Sequence, residues 1–207
     1  MKQIKNYINE RLHVTTKSHL YSCQPTTKKE LQEIIIQRIK DDGLECDLND
    51  IDVSKINDMG HVFDAYINKI FKDFNGDVSQ WNVSNVKNME HMFWECKKFN
   101  CDLSKWDVSN VENIEYMFYG CENFKQNLNK WNVSKVKKMK CTFTNCTTKP
   151  KWYDKDNDNY SSDFFDISQW NVSNAIDGIK QHRDMFDETE LSSLSDKIIR
   201  GMKKYNI

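Results

Sequence analysis

Cysteine thiols are the first candidates for chemistry in this sequence of 207 residues. Seven cysteines occur, and three of them, Cys96, Cys121 and Cys146, recur 25 residues apart. A zinc site needs thiolates or imidazoles at short paired spacings, which these cysteines lack. An odd number of thiols without the spacing of a secreted disulfide framework favours reduced cysteines. We therefore predict small buried thiols, no disulfide and no bound zinc.

An acidic run later in the chain is a second candidate for ion binding. Asp154, Asp156 and Asp158 match the first three ligands of a calcium loop. Asn159 then stands where the sharp turn needs glycine, and Phe165 where a bidentate glutamate belongs. We expect a solvated polar loop here, and no metal or other cofactor.

Lysines form a local basic patch at Lys135, Lys137, Lys138 and Lys140. The whole chain has 30 basic and 31 acidic side chains, so it has no overall field that would attract nucleic acid. We interpret the patch as a solvated surface. Contact with phosphate or nucleic acid through these lysines is an alternative, and it would show a steep dependence on salt.

Catalytic arrangements are missing from the sequence. It contains no Ser-His-Asp or His-Cys arrangement and no glycine-rich phosphate loop, so we predict that the protein is not an enzyme. Asn-x-Ser sequences such as Asn82-Val83-Ser84 occupy a position where Asp52 and Asp107 also occur. We interpret these sequences as turn chemistry and not as glycosylation sites.

The elements that would position these residues are set by an internal repeat. Three copies align on tryptophan with a period of 25 residues: DVSQWNVSNVKNMEHMFWEC from Asp77, DLSKWDVSNVENIEYMFYGC from Asp102 and NLNKWNVSKVKKMKCTFTNC from Asn127. A weaker copy begins at Asp47 and carries a five-residue insertion, and another begins at Asp166. A fixed period of this length is typical of units that bury apolar surface only against their neighbours.

Each copy changes its hydrophobic period halfway. Leu103, Trp106 and Val108 lie in a β-prone stretch, and the apolar residues that follow, Val111, Ile114, Met117, Phe118 and Cys121, recur at helical spacing. The sequence therefore predicts an α/β repeat solenoid of about five leucine-rich-repeat-like strand-helix coils, with helical caps at both ends. We expect the tryptophans at 81, 106, 131 and 170 to form a buried, near-regular packing column.

The repeated pattern W-[ND]-V-S-x-V-x-x-M-x-x-M-F-x-x-C resembles the BspA-like leucine-rich-repeat family, the mycoplasma-type lipoprotein repeat of bacterial surface proteins and some phages. The resemblance covers about residues 47–146 and returns at 166–179. It implies a right-handed solenoid used for adhesion or protein recognition, without enzymatic activity. It also points to a phage-encoded cytosolic member as one possible identity.

The domain organisation follows from the repeat limits. We predict an N-terminal helical cap at 1–46, the repeats at 47–186 with a loop insertion at 147–162, and a capping helix at 187–207. Within the first cap, Thr27-x-x-Glu30 is a capping box that opens a helix through Ile39, which should stop at Gly43. An earlier helix is expected around Ile4 to Leu12.

The localisation of the protein is predicted from the length of its apolar runs, and its function from the exposed residues of the repeats. No apolar run in the sequence has the length of a signal-peptide core or a membrane span, so we expect a cytoplasmic protein. We predict a protein-protein interaction module, with inhibition of a host defence protein by a phage as one specific role. A structural, assembly or adhesion protein is the alternative. The expected contact residues are exposed aromatic and basic side chains: His91, Trp94, Tyr116, Tyr119, Lys137, Lys138, Trp152 and Tyr153.

Overall fold

The structure is a computed structural model that describes residues 23–146 and, beyond them, residues 170, 171 and 174. Its one α-helix in this part of the chain, α1, spans Lys28–Asp42. The hydroxyl oxygen of Thr27 accepts a hydrogen bond from the backbone N–H of Glu30, and Gly43 ends the helix at φ 91°. The predicted helix start and stop are therefore confirmed. The Glu30 carboxylate accepts from the backbone N–H of Thr26 at 2.8 Å, one residue earlier than a standard capping box requires.

Helix α1 lies against the first repeat, which begins at Asp47. Its buried face carries Leu31, Ile35 and Ile39, and its polar residues reach the repeat on either side of that face. Lys28 pairs with Asp58 at 2.7 Å, and Arg38 pairs with Asp50 at 2.6 Å. The helix therefore covers apolar surface that the first repeat would otherwise expose.

The predicted α/β solenoid of strand-helix coils is wrong. Between residues 23 and 146 the regular elements are α1 and a short 3-10 helix, Lys69–Phe71, and no strand occurs there. Neighbouring repeats are joined by isolated parallel bridges, which pair Asp47 with Asp77, Asp58 with Asn88, Asn88 with Asn113, and Asn113 with Lys138. The repeats are real, but those described between residues 47 and 146 consist almost entirely of tight turns.

The hydrogen bonds explain why the helical spacing was misleading. In the second repeat, Met89, His91, Phe93 and Glu95 donate their N–H groups to carbonyls of the third repeat at 2.7–2.9 Å. Of the residues between them, Met92 and Trp94 donate three residues back, and Glu90 donates to the side-chain oxygen of Asn88. An α-helix would send every one of these donors four residues back. Turns closed over three residues give nearly the same spacing of apolar side chains, so periodicity alone could not distinguish the two.

Positive φ angles at equivalent positions also prevent a helix. His61, His91, Tyr116 and Cys141 stand at the same repeat position and have φ between 51° and 64°. A left-handed residue cannot continue a right-handed helix. The four repeats described between residues 47 and 146 therefore share one left-handed position each, where no α-helix can continue.

The tryptophan column is buried, as predicted. Trp81, Trp106, Trp131 and Trp170 are at most 4% exposed. Each indole N–H donates to a backbone carbonyl of the preceding repeat at 2.8–3.0 Å. The rings of Trp106 and Trp131 are 6.5 Å apart and parallel within 1°, and those of Trp131 and Trp170 are 6.1 Å apart. The column thus ties neighbouring repeats together by stacking and by hydrogen bonding.

Phenylalanine and cysteine form two further buried columns. Phe63, Phe93, Phe118 and Phe143 stack with centroid distances of 5.2–5.7 Å. The thiols of Cys96, Cys121 and Cys146 each donate to the carbonyl of a phenylalanine in the preceding repeat at 2.9–3.0 Å. All seven cysteines lie in the described residues and are free thiols.

Several predictions fall on residues outside the described part. They are the helix around Ile4 to Leu12, the loop at 147–162 with Trp152, Tyr153 and the acidic run, and the helix at 187–207. Among the residues that the structure does describe, no helix combines the length and apolar character needed to cross a membrane.

Candidate binding surface

Six aromatic side chains from three neighbouring repeats form one surface cluster, which we call the aromatic patch: His61, Tyr66, His91, Trp94, Tyr116 and Tyr119. Its members come from few repeat positions. His61, His91 and Tyr116 occupy the left-handed position, and Trp94 and Tyr119 follow it by three residues. Because the repeats stack in register, equal positions become neighbours in space.

The rings of the patch contact one another around Trp94. Its indole lies 4.2 Å from His91, 5.2 Å from Tyr116 and 5.1 Å from Tyr119, centroid to centroid. Tyr66 adds a ring at 5.8 Å from the indole. A chain of stacked rings also links the three repeats, from His61 to His91 at 4.6 Å and from His91 to Tyr116 at 4.9 Å.

One edge of the patch is open to solvent. Tyr66 is 69% exposed and the adjacent Ile67 is 68% exposed, whereas Trp94, Tyr116 and Tyr119 are half-buried. The Lys69 ammonium lies 5.4 Å from the centre of the Tyr66 ring, which is within cation-π range. Mutual stacking holds the half-buried rings in place, so the patch combines fixed anchors with an exposed apolar edge.

Ionisable groups lie beneath the same patch. The Asp64 carboxylate is only 2% exposed, and one of its oxygens is 2.6 Å from Nδ1 of His61. Its other oxygen accepts from the backbone N–H groups of Tyr66 and Ile67 at 2.8 and 3.1 Å. Asp64 therefore fixes both the histidine ring and the exposed edge of the patch.

His91 has a less complete set of partners. Its Nδ1 atom is buried and makes no hydrogen bond, and it lies 3.5 Å from a Glu90 carboxylate oxygen. Burial lowers the pKa of His91, and the neighbouring His61 lowers it further. Donor atoms of His61, Glu90 and His91 all lie within 4.8 Å of one another, which makes this set a possible metal-binding group. The sequence analysis missed it because the two histidines are 30 residues apart.

The lysine patch is largely paired with the preceding repeat. Lys137 pairs with Glu112 at 2.6 Å, and Lys138 approaches Glu115 at 4.0 Å. Lys135 donates to the side-chain oxygen of Asn110 at 2.6 Å. The two ion pairs offset the charge of Lys137 and Lys138, which lowers the positive charge that a phosphate group would need.

The predicted contact residues that the structure describes thus fall into two separate groups. His91, Trp94, Tyr116 and Tyr119 come together in the patch, and Lys137 and Lys138 form cross-repeat ion pairs. Sequence reasoning missed Tyr66 and Ile67, which have the largest exposed apolar side chains in the described residues. The sequence feature that could have identified these two residues is the five-residue insertion of the first repeat, which interrupts the 25-residue period.

Comparison with known proteins gives one match. A family model described as "Mycoplasma protein of unknown function, DUF285" matches residues 32–155. No curated protein and no solved structure matches the chain. The matched residues include most of α1 and the repeats described between residues 47 and 146. The chain therefore belongs to this mycoplasma-type repeat family.

Proposed function

We propose that the chain is a non-enzymatic protein-binding module whose contact surface is the aromatic patch with Ile67. The observation that carries the proposal is the exposure of Tyr66 and Ile67, at 69% and 68%, beside the five other aromatic side chains of the patch. Interfaces are enriched in aromatic anchors surrounded by polar residues. Rings already held by their neighbours lose little conformational freedom on binding, and this favours affinity.

The variation between repeats supports the same function. In the three copies that begin at Asp77, Asp102 and Asn127, the buried positions keep tryptophan, phenylalanine and cysteine, whereas the position of Trp94 in the first of them holds Tyr119 and Thr144 in the other two. Repeat proteins commonly keep a constant interior and vary their surface to recognise a partner. The resemblance of the repeat pattern to BspA-like proteins, which recognise proteins or surfaces, points in this direction as well. In a phage-encoded member, a host defence protein is the first partner to test.

The proposal is tested with the immobilised full-length protein and extract from the organism that encodes it. One variant combines Tyr66→Ser with Ile67→Ser, and a second combines Trp94→Ala with Tyr119→Ala. The control combines Lys105→Ser with Lys130→Ser, two exposed side chains at equivalent repeat positions outside the patch. Thermal unfolding of each variant is measured beforehand. The first variant should remain folded, because both of its side chains are exposed.

We expect a protein that the parent and the lysine control capture to be absent from both patch variants. Capture of the same protein by all four chains would contradict the proposal. Retention of nucleic acid that falls steeply with salt, unaffected by the patch variants, would favour the alternative contact through Lys135, Lys137, Lys138 and Lys140.

A further inference from the structure

We propose that His61, Glu90 and His91 bind a divalent transition-metal ion, with Zn²⁺ as the best fit. The three side chains come from two neighbouring repeats, and each has a donor atom within 4.8 Å of the other two. Two imidazoles and one carboxylate are an established ligand set for zinc with an open fourth position. Metal binding here does not depend on the proposed partner contact.

The unpartnered nitrogen of His91 is the first observation that points to a ligand. A buried polar atom without a hydrogen bond is uncommon and requires an explanation, such as an ion at that position. A Glu90 carboxylate oxygen lies 3.5 Å from this nitrogen, beyond a good hydrogen bond. Ligands on a tetrahedral zinc with bonds of about 2.1 Å are separated by about 3.4 Å. The spacing of these two atoms therefore suits two ligands of one ion better than it suits a direct contact.

Asp64 is the second observation. It is buried and holds Nδ1 of His61 at 2.6 Å, which leaves Nε2 as the atom of His61 free to bind a metal. Metal-binding histidines usually donate their other ring N–H to a carboxylate in this way, and this contact sets the tautomer and the ring direction. Asp64 is thus a positioning residue that prepares His61 as a ligand.

The negative charge around the three side chains and their access to solvent also suit a divalent cation. The carboxylates of Asp64 and Glu90 concentrate negative charge that a divalent cation would offset. The side chains of His61 and Glu90 are 39% and 35% exposed, so an ion can enter from solvent. The widest donor separation, 4.8 Å, must shorten by about 1.4 Å to reach the tetrahedral spacing. An ion lies in the plane of each imidazole that binds it, so the His61 ring must also turn out of its 4.6 Å stack on His91. The movement has to come from the partly exposed His61 and Glu90 side chains, because His91 is packed against Trp94 and Tyr116.

Binding is tested with tag-free full-length protein that has been stripped by a chelator. Titration with Zn²⁺ by calorimetry should give one tight site per chain. His61→Ala, His91→Ala and Glu90→Gln should each abolish that site. Glu115→Gln is the matched control, because Glu115 occupies the position of Glu90 in the next repeat but is followed by Tyr116 instead of a histidine. It should bind as the parent does.

A positioning role for Asp64 is tested separately with Asp64→Asn. Asparagine can still accept from the backbone N–H groups of Tyr66 and Ile67, but its amide would donate to His61 and favour the tautomer protonated on Nε2. We expect zinc affinity to fall about 10- to 100-fold. An affinity equal to that of the parent would overturn the role assigned to Asp64.

Cobalt substitution identifies the ligand atoms even if a variant folds poorly. Co²⁺ in the parent should give a spectrum of nitrogen and oxygen ligation. A sulfur-to-cobalt charge-transfer band would place the ion on a cysteine and overturn the proposal. So would a parent that takes up no stoichiometric metal, or uptake that persists in both histidine variants.

Discussion

At the scale of single residues, the short polar side chains in each repeat begin its turns. The carboxylate or amide oxygens of Asp52, Asn82, Asp107 and Asn132 each accept the N–H of the serine two residues later at 3.0–3.2 Å. Asparagine and aspartate replace each other at this position because both form the same Asx turn. The interpretation of the Asn-x-Ser sequences as turn chemistry agrees with these contacts.

Substitution of Asp107 should therefore depend on the replacement and on pH. Asp107→Asn should change stability little at pH 7, whereas Asp107→Ala should cost about 1 kcal/mol through the lost hydrogen bonds. Hydrogen bonds from the Ser109 side chain and backbone lower the pKa of Asp107. Because its pKa is lower in the folded state, Asp107 stabilises the fold above its unfolded-state pKa, and this contribution is lost as pH falls through the folded-state pKa.

Urea unfolding of the parent and both variants, from pH 7 to about pH 2.5, checks these expectations. The parent should lose stability relative to Asp107→Asn as the pH falls through this range. A pH-independent difference between these two proteins would show that the charge of Asp107 contributes nothing to folding.

Gly76 is a residue whose missing side chain matters. A Cβ atom there would lie 2.6 Å from the Cys46 carbonyl oxygen and 2.6 Å from the Phe74 ring. The backbone at Cys46 cannot move aside easily, so Gly76→Ala should destabilise the protein by roughly 1 to 3 kcal/mol. Cys101→Ala is the matched control, since Cys101 holds the equivalent position in the next repeat and already accommodates a side chain. Equal denaturation midpoints for Gly76→Ala and the parent would contradict the predicted clash.

At the scale of elements, the unit of stability is the contact between one repeat and the next. Truncating Trp106 to alanine removes the stack on Trp131 and should cost roughly 3 to 5 kcal/mol. Trp106→Phe keeps a ring but leaves the Val78 carbonyl without the indole N–H that now donates to it at 3.0 Å. The Val78 carbonyl would still accept from the backbone N–H of Trp81 at 3.1 Å, so the loss of this one hydrogen bond should cost about 0.5 to 1.5 kcal/mol.

Chemical unfolding of these two variants is compared with that of Trp94→Phe. The same chemical change at half-buried Trp94 should cost less than at Trp106, because the site is closer to solvent. If Trp106→Phe is no more destabilising than Trp94→Phe, the cross-repeat hydrogen bond adds no stability.

At the scale of the whole molecule, the thiols report whether the repeats remain stacked. Cys46, Cys96, Cys121 and Cys146 are buried, and burial raises the pKa of Cys96, Cys121 and Cys146 well above the ordinary value. A thiol that is both buried and protonated reacts slowly with alkylating agents. Reactivity of these cysteines therefore requires the repeats to separate.

We expect iodoacetamide at pH 8 to modify Cys23 and Cys141 first in the native protein. Cys101 should follow more slowly, since burial raises its pKa to about 12. Mass spectrometry of the digested protein locates each modification, and all seven thiols should react after denaturation without reductant. Rapid native modification of Cys121, in the centre of the column, would contradict the packing described here.

The sequence by itself determined the features that depend on local chemistry or on repetition. The Thr27 cap, the Gly43 stop, the Asx turns and the identity of the buried tryptophan, phenylalanine and cysteine columns follow from residue type and from the 25-residue period. Each of these features depends on a few neighbouring residues or recurs in several repeats. The sequence alone is therefore enough to identify it.

Only the tertiary structure decided the hydrogen bonding within each repeat and the composition of the surface. The donors of Met89, His91 and Phe93 bond to the next repeat and not within a helix, a choice that depends on a neighbour 24 residues away. The same stacking in register brings His61 against His91 and places Tyr66 beside Trp94. Such contacts join residues far apart in sequence, so no local pattern encodes them.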